Sequence, residues 1–155
     1  MKPHIVTRSE PAWFLGTLVR PKLTGVQTAG RFALWELVLP RGAAPPLHTH
    51  PQDETFYVLE GDLVAWADTE TARCGPGAVV FVPGGVPHAF RVESDSARVL
   101  FLSTPAGIEE FVRDLSEPAG YPWLPPPPDG ARVSAERMEK ANRAHGVVNV
   151  GPPPA

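Results

Sequence analysis

The 155 residues contain a single cysteine, Cys74. One thiol excludes an intrachain disulfide, gives no sign of an oxidising compartment, and leaves no second cysteine for a thiolate metal site. Cys74 precedes Gly75-Pro76-Gly77 and reads as a turn residue, with no adjacent cation to depress its pKa and make it reactive.

Long apolar runs are also missing. No stretch approaches the ~18 apolar residues of a membrane span, and the opening Met1 to Arg8 lacks the apolar centre of a signal peptide. The expectation is a soluble cytoplasmic protein with no membrane partner. Nor does one sign of charge dominate: Lys and Arg number 14 against 17 Asp and Glu, for a net charge of −3. The basic residues are scattered, so nothing favours a nucleic-acid partner. There is no internal repeat and no second core.

What the chain has in plenty is punctuation. Twenty prolines and fourteen glycines separate short runs rich in Val, Phe, Leu and Trp. These runs are Trp13–Val19, Arg31–Leu39, Thr55–Leu59, Leu63–Ala67, Ala78–Val82, His88–Val92 and Arg98–Leu102. Their lengths and the spacing of turn signals suit an all-β sandwich or barrel. Arg31–Leu39 alternates only loosely, so it predicts a strand without predicting its facing.

The last third changes character. Ile108, Phe111, Val112 and Leu115 recur at helical spacing, and Pro118 and Gly120 stop that helix. Pro125–Pro128 form a stiff extended connector. Ser134 then caps a second helix running to about His145, with Glu136 in its first turn, Gly146 at its end, and an apolar face of Met138, Ala141 and Ala144. Gly151 to Ala155 reads as an extended or disordered tail. The expectation is one domain over 1–155: a β core over about 13–103, a helical extension over about 106–146, and a proline-rich tail at 151–155.

The histidines carry the chemistry. A lone histidine is usually a hydrogen-bonded polar residue, and His4 and His145 read that way. His48 and His50 form an i, i+2 pair, which on a strand projects to one face. Glu54 follows four residues later, and His88 heads a distant apolar run. The pair by itself is either a solvated strand end or part of a metal site. Three imidazoles and a carboxylate make a nitrogen and oxygen donor set suited to one divalent transition metal: Fe, Mn, Co, Ni, Cu or Zn.

The surrounding glycines and prolines narrow the choice. Gly42, His48, His50, Glu54 and Gly61 form one spaced pattern, and Gly77, Pro83, Gly85 and His88 form a second. With residue types used at roughly 2–8% each, chance agreement at nine set offsets is negligible.

These two stretches resemble the paired signature motifs of the cupin superfamily, and the overall look is similar to small single-domain, quercetin-dioxygenase-like cupins. The family's second motif usually ends in Asn four residues after its histidine; here that place is Val92. The resemblance implies an antiparallel β-barrel or jelly roll with C-terminal helices, a metal held by His48, His50, Glu54 and His88, and a homodimer. Four protein ligands on an octahedral metal leave two adjacent positions for substrate oxygen or O₂. Glu54 is the candidate catalytic base toward a substrate hydroxyl.

Strand parity supplies the expected substrate pocket. Phe56 and Val58 share a face with Glu54, and Phe90 and Val92 share one with His88. Tyr57 and Leu59 lie on the opposite face, where they meet a helix or a second subunit. The leading expectation is a metal-dependent oxygenase, similar to a quercetin-type dioxygenase, acting on a small phenolic or enolic molecule. The alternatives are a redox-neutral cyclase or isomerase of polyketide-like aromatics, and a non-enzymatic sensor that holds a small effector.

Overall fold

The computed structural model describes residues 2–126 and 133–153. The run expected as one strand from Trp13 divides into β1 (Ala12–Phe14) and β2 (Thr17–Leu23). Leu15 and Gly16 both have positive φ, +48° and +81°, which is the two-residue turn that matches hairpin twist. A leucine there is uncommon, so the break left no clear sequence signal.

A short helix α1 (Gly25–Thr28) leads into β3 (Ala33–Pro40), β4 (Leu47–Thr49), β5 (Asp53–Glu60), β6 (Leu63–Ala67), β7 (Glu70–Cys74), β8 (Val79–Val82), β9 (His88–Val92) and β10 (Ser96–Thr104). Then follow α2 (Ile108–Asp114), β11 (Ser116–Pro118), α3 (Ala135–His145) and β12 (Val148–Gly151).

The strands form two antiparallel sheets. One has the order β11-β1-β2-β3-β10-β5-β8, the other β12-β4-β9-β6-β7. Their ladders do not join into a closed ring; the sheets face one another as a jelly roll, with a core drawn from both. Alternation produces the facing. In β5, Glu54, Phe56 and Val58 are buried, while Thr55, Tyr57 and Leu59 look outward. In β10, Ala97, Val99, Phe101 and Ser103 are buried in the same rhythm. β3 buries Ala33, Trp35 and Leu39, the facing its sequence did not announce.

Cys74 is not a turn residue. It ends β7, opposite Leu63, and is buried, and burial pushes its thiol pKa up. β7 escaped notice because its other residues are exposed and, Ala72 apart, polar, as suits the outer strand of a sheet.

The four apolar positions expected on the first helix are all buried, three within α2 and Leu115 just beyond its end. So is Glu109, which accepts hydrogen bonds from the Gly107 and Gly25 backbone N–H groups. α3 is capped as expected: the Ser134 side chain accepts from the Arg137 N–H, and Gly146 is left-handed. Ala144, however, is exposed. α3 presents Met138 and Ala141 to the core, while Arg137 donates to the Asp114 and Ser116 carbonyls and His145 bonds Asp114 at 2.8 Å. Gly151, expected in a loose tail, closes β12 against Leu47. Pro127, Pro128, Pro154 and Ala155 of the expected proline-rich segments lie outside the described residues. Among the described residues no helix is long and apolar enough to cross a membrane.

Gly61 shows how tightly the β5–β6 turn is set. Its φ is +77°, and a Cβ built there would sit 2.2 Å from the Ser96 carbonyl oxygen. Gly30 has nearly the same φ, +76°, with nothing within 4 Å. Gly30→Ala should therefore cost only the left-handed penalty, about 1 kcal/mol. Gly61→Ala adds a backbone collision and should cost about 3 kcal/mol. Urea denaturation of the two variants measures the difference, and equal losses would show that the Ser96 contact is not restrictive.

Candidate metal centre

The site is made where the second sheet turns into the first. His48 lies on β4, directly opposite His88 on β9. Paired residues of adjacent strands share a face, so the two imidazoles are neighbours. His50 follows at the end of β4 on the same face. The chain then crosses over through Pro51 and Gln52 to β5, whose second residue is Glu54.

This crossing is clamped by the turn before β9. The Gly85 N–H donates to the His50 carbonyl at 2.8 Å, and the Gly84 N–H donates to Asp53 Oδ1 at 2.8 Å. A Cβ on Gly84 would lie 2.1 Å from the Pro51 carbonyl oxygen. Only a glycine allows that approach. The two spaced motifs of the sequence are thus one structural unit, joined at these two glycines. Gly84, which stands outside the spaced pattern, makes the closer contact.

The three histidines offer ring nitrogens that all lie within 4.8 Å of one another. Ring centroids stand 4.3 Å apart for His48 and His88, 4.8 Å for His50 and His88, and 5.7 Å for His48 and His50. Glu54 Oε2 is 2.5 Å from His50 Nε2 and 3.5 Å from His88 Nε2. His50, Glu54 and His88 are buried; His48 is half-buried.

The backbone dictates which nitrogens face the centre. His48 Nδ1 is 2.8 Å from the Pro46 carbonyl, and His88 Nδ1 is 2.9 Å from the Val86 carbonyl. A carbonyl only accepts, so each Nδ1 carries the proton and donates it. That leaves Nε2 of both rings as a bare lone pair when the rings are neutral. Donation of the second ring nitrogen to a backbone carbonyl is also how metal-bound histidines are oriented.

His88 Nε2 is buried, and its nearest polar neighbour, Glu54, is too distant for a full hydrogen bond; His50 Nδ1 is likewise buried without a partner among the described residues. A buried polar atom left unbonded is costly. The donor set of imidazole nitrogens and a carboxylate, with an inward lone pair left over, fits a divalent transition metal held by His48, His50, His88 and Glu54.

Burial and neighbouring charge set the protonation. Burial, helped by the nearby His88, lowers the His48 pKa to about 4. Burial alone would raise Glu54, but its contacts with the His50 and His88 rings outweigh that and hold it down at about 2. For His88, burial acts downward and the Glu54 carboxylate upward, with a net rise. The centre therefore keeps Glu54 ionised and His48 neutral at neutral pH, the forms that bind metal.

Residues 35–105 match the family model for the cupin domain. The matched stretch includes all four candidate ligands. The chain is 32% identical over 92 residues to quercetin 2,3-dioxygenase of Bacillus subtilis, covering 59% of this chain and 27% of that protein. It is 37% identical over 60 residues to dimethylsulfoniopropionate lyase DddQ of Ruegeria pomeroyi, 38% of this chain and 30% of that one. The chain spans 27–64% of the length of the curated relatives it matches. Among solved structures, an RmlC-like cupin from Shewanella frigidimarina superposes with a TM-score of 0.59 at 17% identity, over 69% of this chain and 93% of that one, which supports the cupin fold.

The four residues expected as ligands come together at one end of the cupin interior. Behind His88 lies a small cavity, on which Phe56 and Phe90 border with their rings edge to face at 5.6 Å. Val58 and Val92 are sealed in the core and do not border that cavity. Its remaining wall includes Leu39, Val80 and Val99, whose roles rest on which strands face each other and were not readable beforehand.

The His48 pKa makes a testable difference. The unfolded chain protonates this ring near pH 6.5, whereas the folded protein resists until about pH 4. Between those values the unfolded state binds more protons, so stability falls as pH falls. In chelator-treated protein, wild type should lose more stability than His48→Ala between pH 7 and 4.5 in parallel urea titrations. Parallel pH profiles for the two proteins would remove the assignment.

Proposed function

We propose that this cupin domain is a metal-dependent oxygenase, similar in kind to a quercetin-type dioxygenase, acting on a small phenolic or enolic substrate. The observation that carries the reading is the meeting of three imidazoles and one ionised carboxylate at an otherwise apolar interior. The likeness to quercetin 2,3-dioxygenase supports the same chemistry. His48, His50, Glu54 and His88 are the proposed ligands. A bound divalent metal would supply a Lewis-acid and redox centre at which substrate and O₂ meet.

The chain's own residues do the rest. The Pro46 and Val86 carbonyls hold two rings in the tautomer that turns Nε2 inward. Glu54, the carboxylate beside the three histidines, is the proposed acceptor of the substrate's hydroxyl proton. Val92, Phe90 and Phe56 keep the interior dry, which strengthens electrostatic interactions inside it. Substrate enters from the side of His48, the least buried of the four.

A homodimer is part of the proposal. Val79 and Phe81 of the edge strand β8 are 61% and 55% exposed, and Tyr57 of β5 lies beside them on the outer face of the first sheet. Such a contiguous apolar surface suits a subunit contact. Phe81→Asp should shift the mass measured by light scattering from dimer to monomer, with little change in melting temperature.

The central test is reconstitution. Metal-free protein loaded in turn with Fe(II), Mn(II), Co(II), Ni(II), Cu(II) and Zn(II) should consume O₂ with flavonols or catechols only when the metal is redox-active. His50→Ala should abolish consumption. Glu54→Ala should weaken metal binding more than about 100-fold, beyond what loss of a merely orienting group costs. Tight zinc binding with no O₂ uptake under any metal would replace the oxygenase with the redox-neutral cyclase or with a binding module.

A further inference from the structure

The cavity behind His88 has an unusual combination of size and lining. It lies between the sheets, bordered by Phe56, Phe90, Ala65, Val80 and Val99, and His88 is its one titratable wall. The centre of a water-sized sphere can roam over about 10 Å³ within it. That is room for one small molecule and far below the roughly 300–1,000 Å³ of pockets that hold drug-sized ligands. An aromatic substrate therefore does not fit behind His88 and stays on the His48 side of the cluster.

Water is a poor occupant as well. A buried water needs two to four polar partners. Two of the lining residues, His88 and Trp66, have polar side-chain atoms; the Trp66 ring lies under Arg91 at 5.5 Å, and His88 Nδ1 is already committed to the Val86 carbonyl. Its Nε2 faces Glu54 and the cluster. Cavities with carbon walls stay dry and take up apolar atoms and gases such as xenon.

We infer that the space behind His88 is a binding site for a small apolar gas. On the oxygenase reading above, on which this assignment of occupant rests, the gas is dioxygen. Dioxygen is apolar, diatomic, and needs no hydrogen bonds. His88 is the residue shared by the cavity and the cluster. A gas molecule held there waits beside the ligand cluster, on the opposite side from the substrate. The apolar walls also exclude water from that approach. Val80 belongs to the first sheet, and Ala65 to the second, so the site exists only once the two sheets face each other.

Xenon tests the site without metal or turnover. Chelator-treated wild-type protein under xenon pressure, followed by xenon NMR and by diffraction, should hold one xenon beside His88, in the space bordered by Phe56, Phe90, Ala65 and Val80. Ala65→Val and Val80→Leu fill the space from opposite sheets and should each reduce occupancy; circular dichroism and melting temperature verify that each variant folds. No xenon in the wild type, or undiminished xenon in both folded variants, overturns the inference. In metal-loaded protein that turns over, Ala65→Val should raise the KM for O₂ severalfold and leave the KM for the phenolic substrate unchanged. A rise in substrate KM instead would show that the cavity takes substrate, which also overturns it. If loaded wild type consumes no O₂, the oxygenase reading fails, and the xenon result alone decides whether the gas site exists.

Discussion

Burying a carboxylate among three imidazoles between two apolar sheets is the constraint on which the rest of this structure depends. An ionised glutamate in such a place is strongly disfavoured unless other groups compensate it. Here His50 and His88 supply that compensation, to the point that Glu54 is held at a pKa of about 2. His48, paying for its own burial, is pushed the other way and stays neutral. The cluster is therefore arranged to receive a cation: one fixed negative charge, lone pairs directed by backbone carbonyls, and buried nitrogens without other partners. The cluster sits where β4 and β9 meet and the chain crosses to β5, with buried Ser103 paired opposite Glu54 on β10.

The crossing explains why glycine matters as much as histidine in the two motifs. The His50 carbonyl and the Asp53 side chain are both satisfied by backbone N–H groups of the Gly84-Gly85 turn. This turn reaches them because Gly84 has no Cβ to strike Pro51. The same contact fixes the start of β9, and so the position of His88. The geometry of the cluster and the packing of the loop are thus fixed together. The C-terminal segment joins it from outside: β12 extends the sheet beyond β4, with Asn149 opposite His48, and Gly146 packs on Pro51.

The interior beyond the cluster divides by size. Aromatic side chains from both sheets meet here: Phe56 packs edge to face on Phe90 of the facing sheet and tilted against Phe101 of its own. They leave a residual space too small for a ring and lined mainly by apolar side chains. The polar centre and this space share His88, which places two different environments on either side of one imidazole.

Much of this was legible in advance, for physical reasons that can be named. Period-two alternation marked β5 and β10, and helical spacing marked α2, because burial on one face leaves a period in the chain. The ligand candidates were legible because their spacing to particular glycines and prolines is improbable by chance. Other features left no such trace. β7 exposes four of its five residues and shows no apolar alternation, Leu15 takes a left-handed conformation that leucine seldom adopts, and buried Glu109 is satisfied by backbone N–H groups that no side-chain pattern reveals. By itself the sequence determined the strand-rich jelly roll, the cluster of His48, His50, Glu54 and His88 as candidates, and the inward parity of Phe56 and Phe90. Only the tertiary structure decided which nitrogen of the His48 and His88 rings faces the centre, how far Glu54 is held from protonation, and that the space behind His88 is small and mainly apolar in lining. Those properties depend on backbone carbonyls and on facing sheets, which are distances in space rather than intervals along the chain.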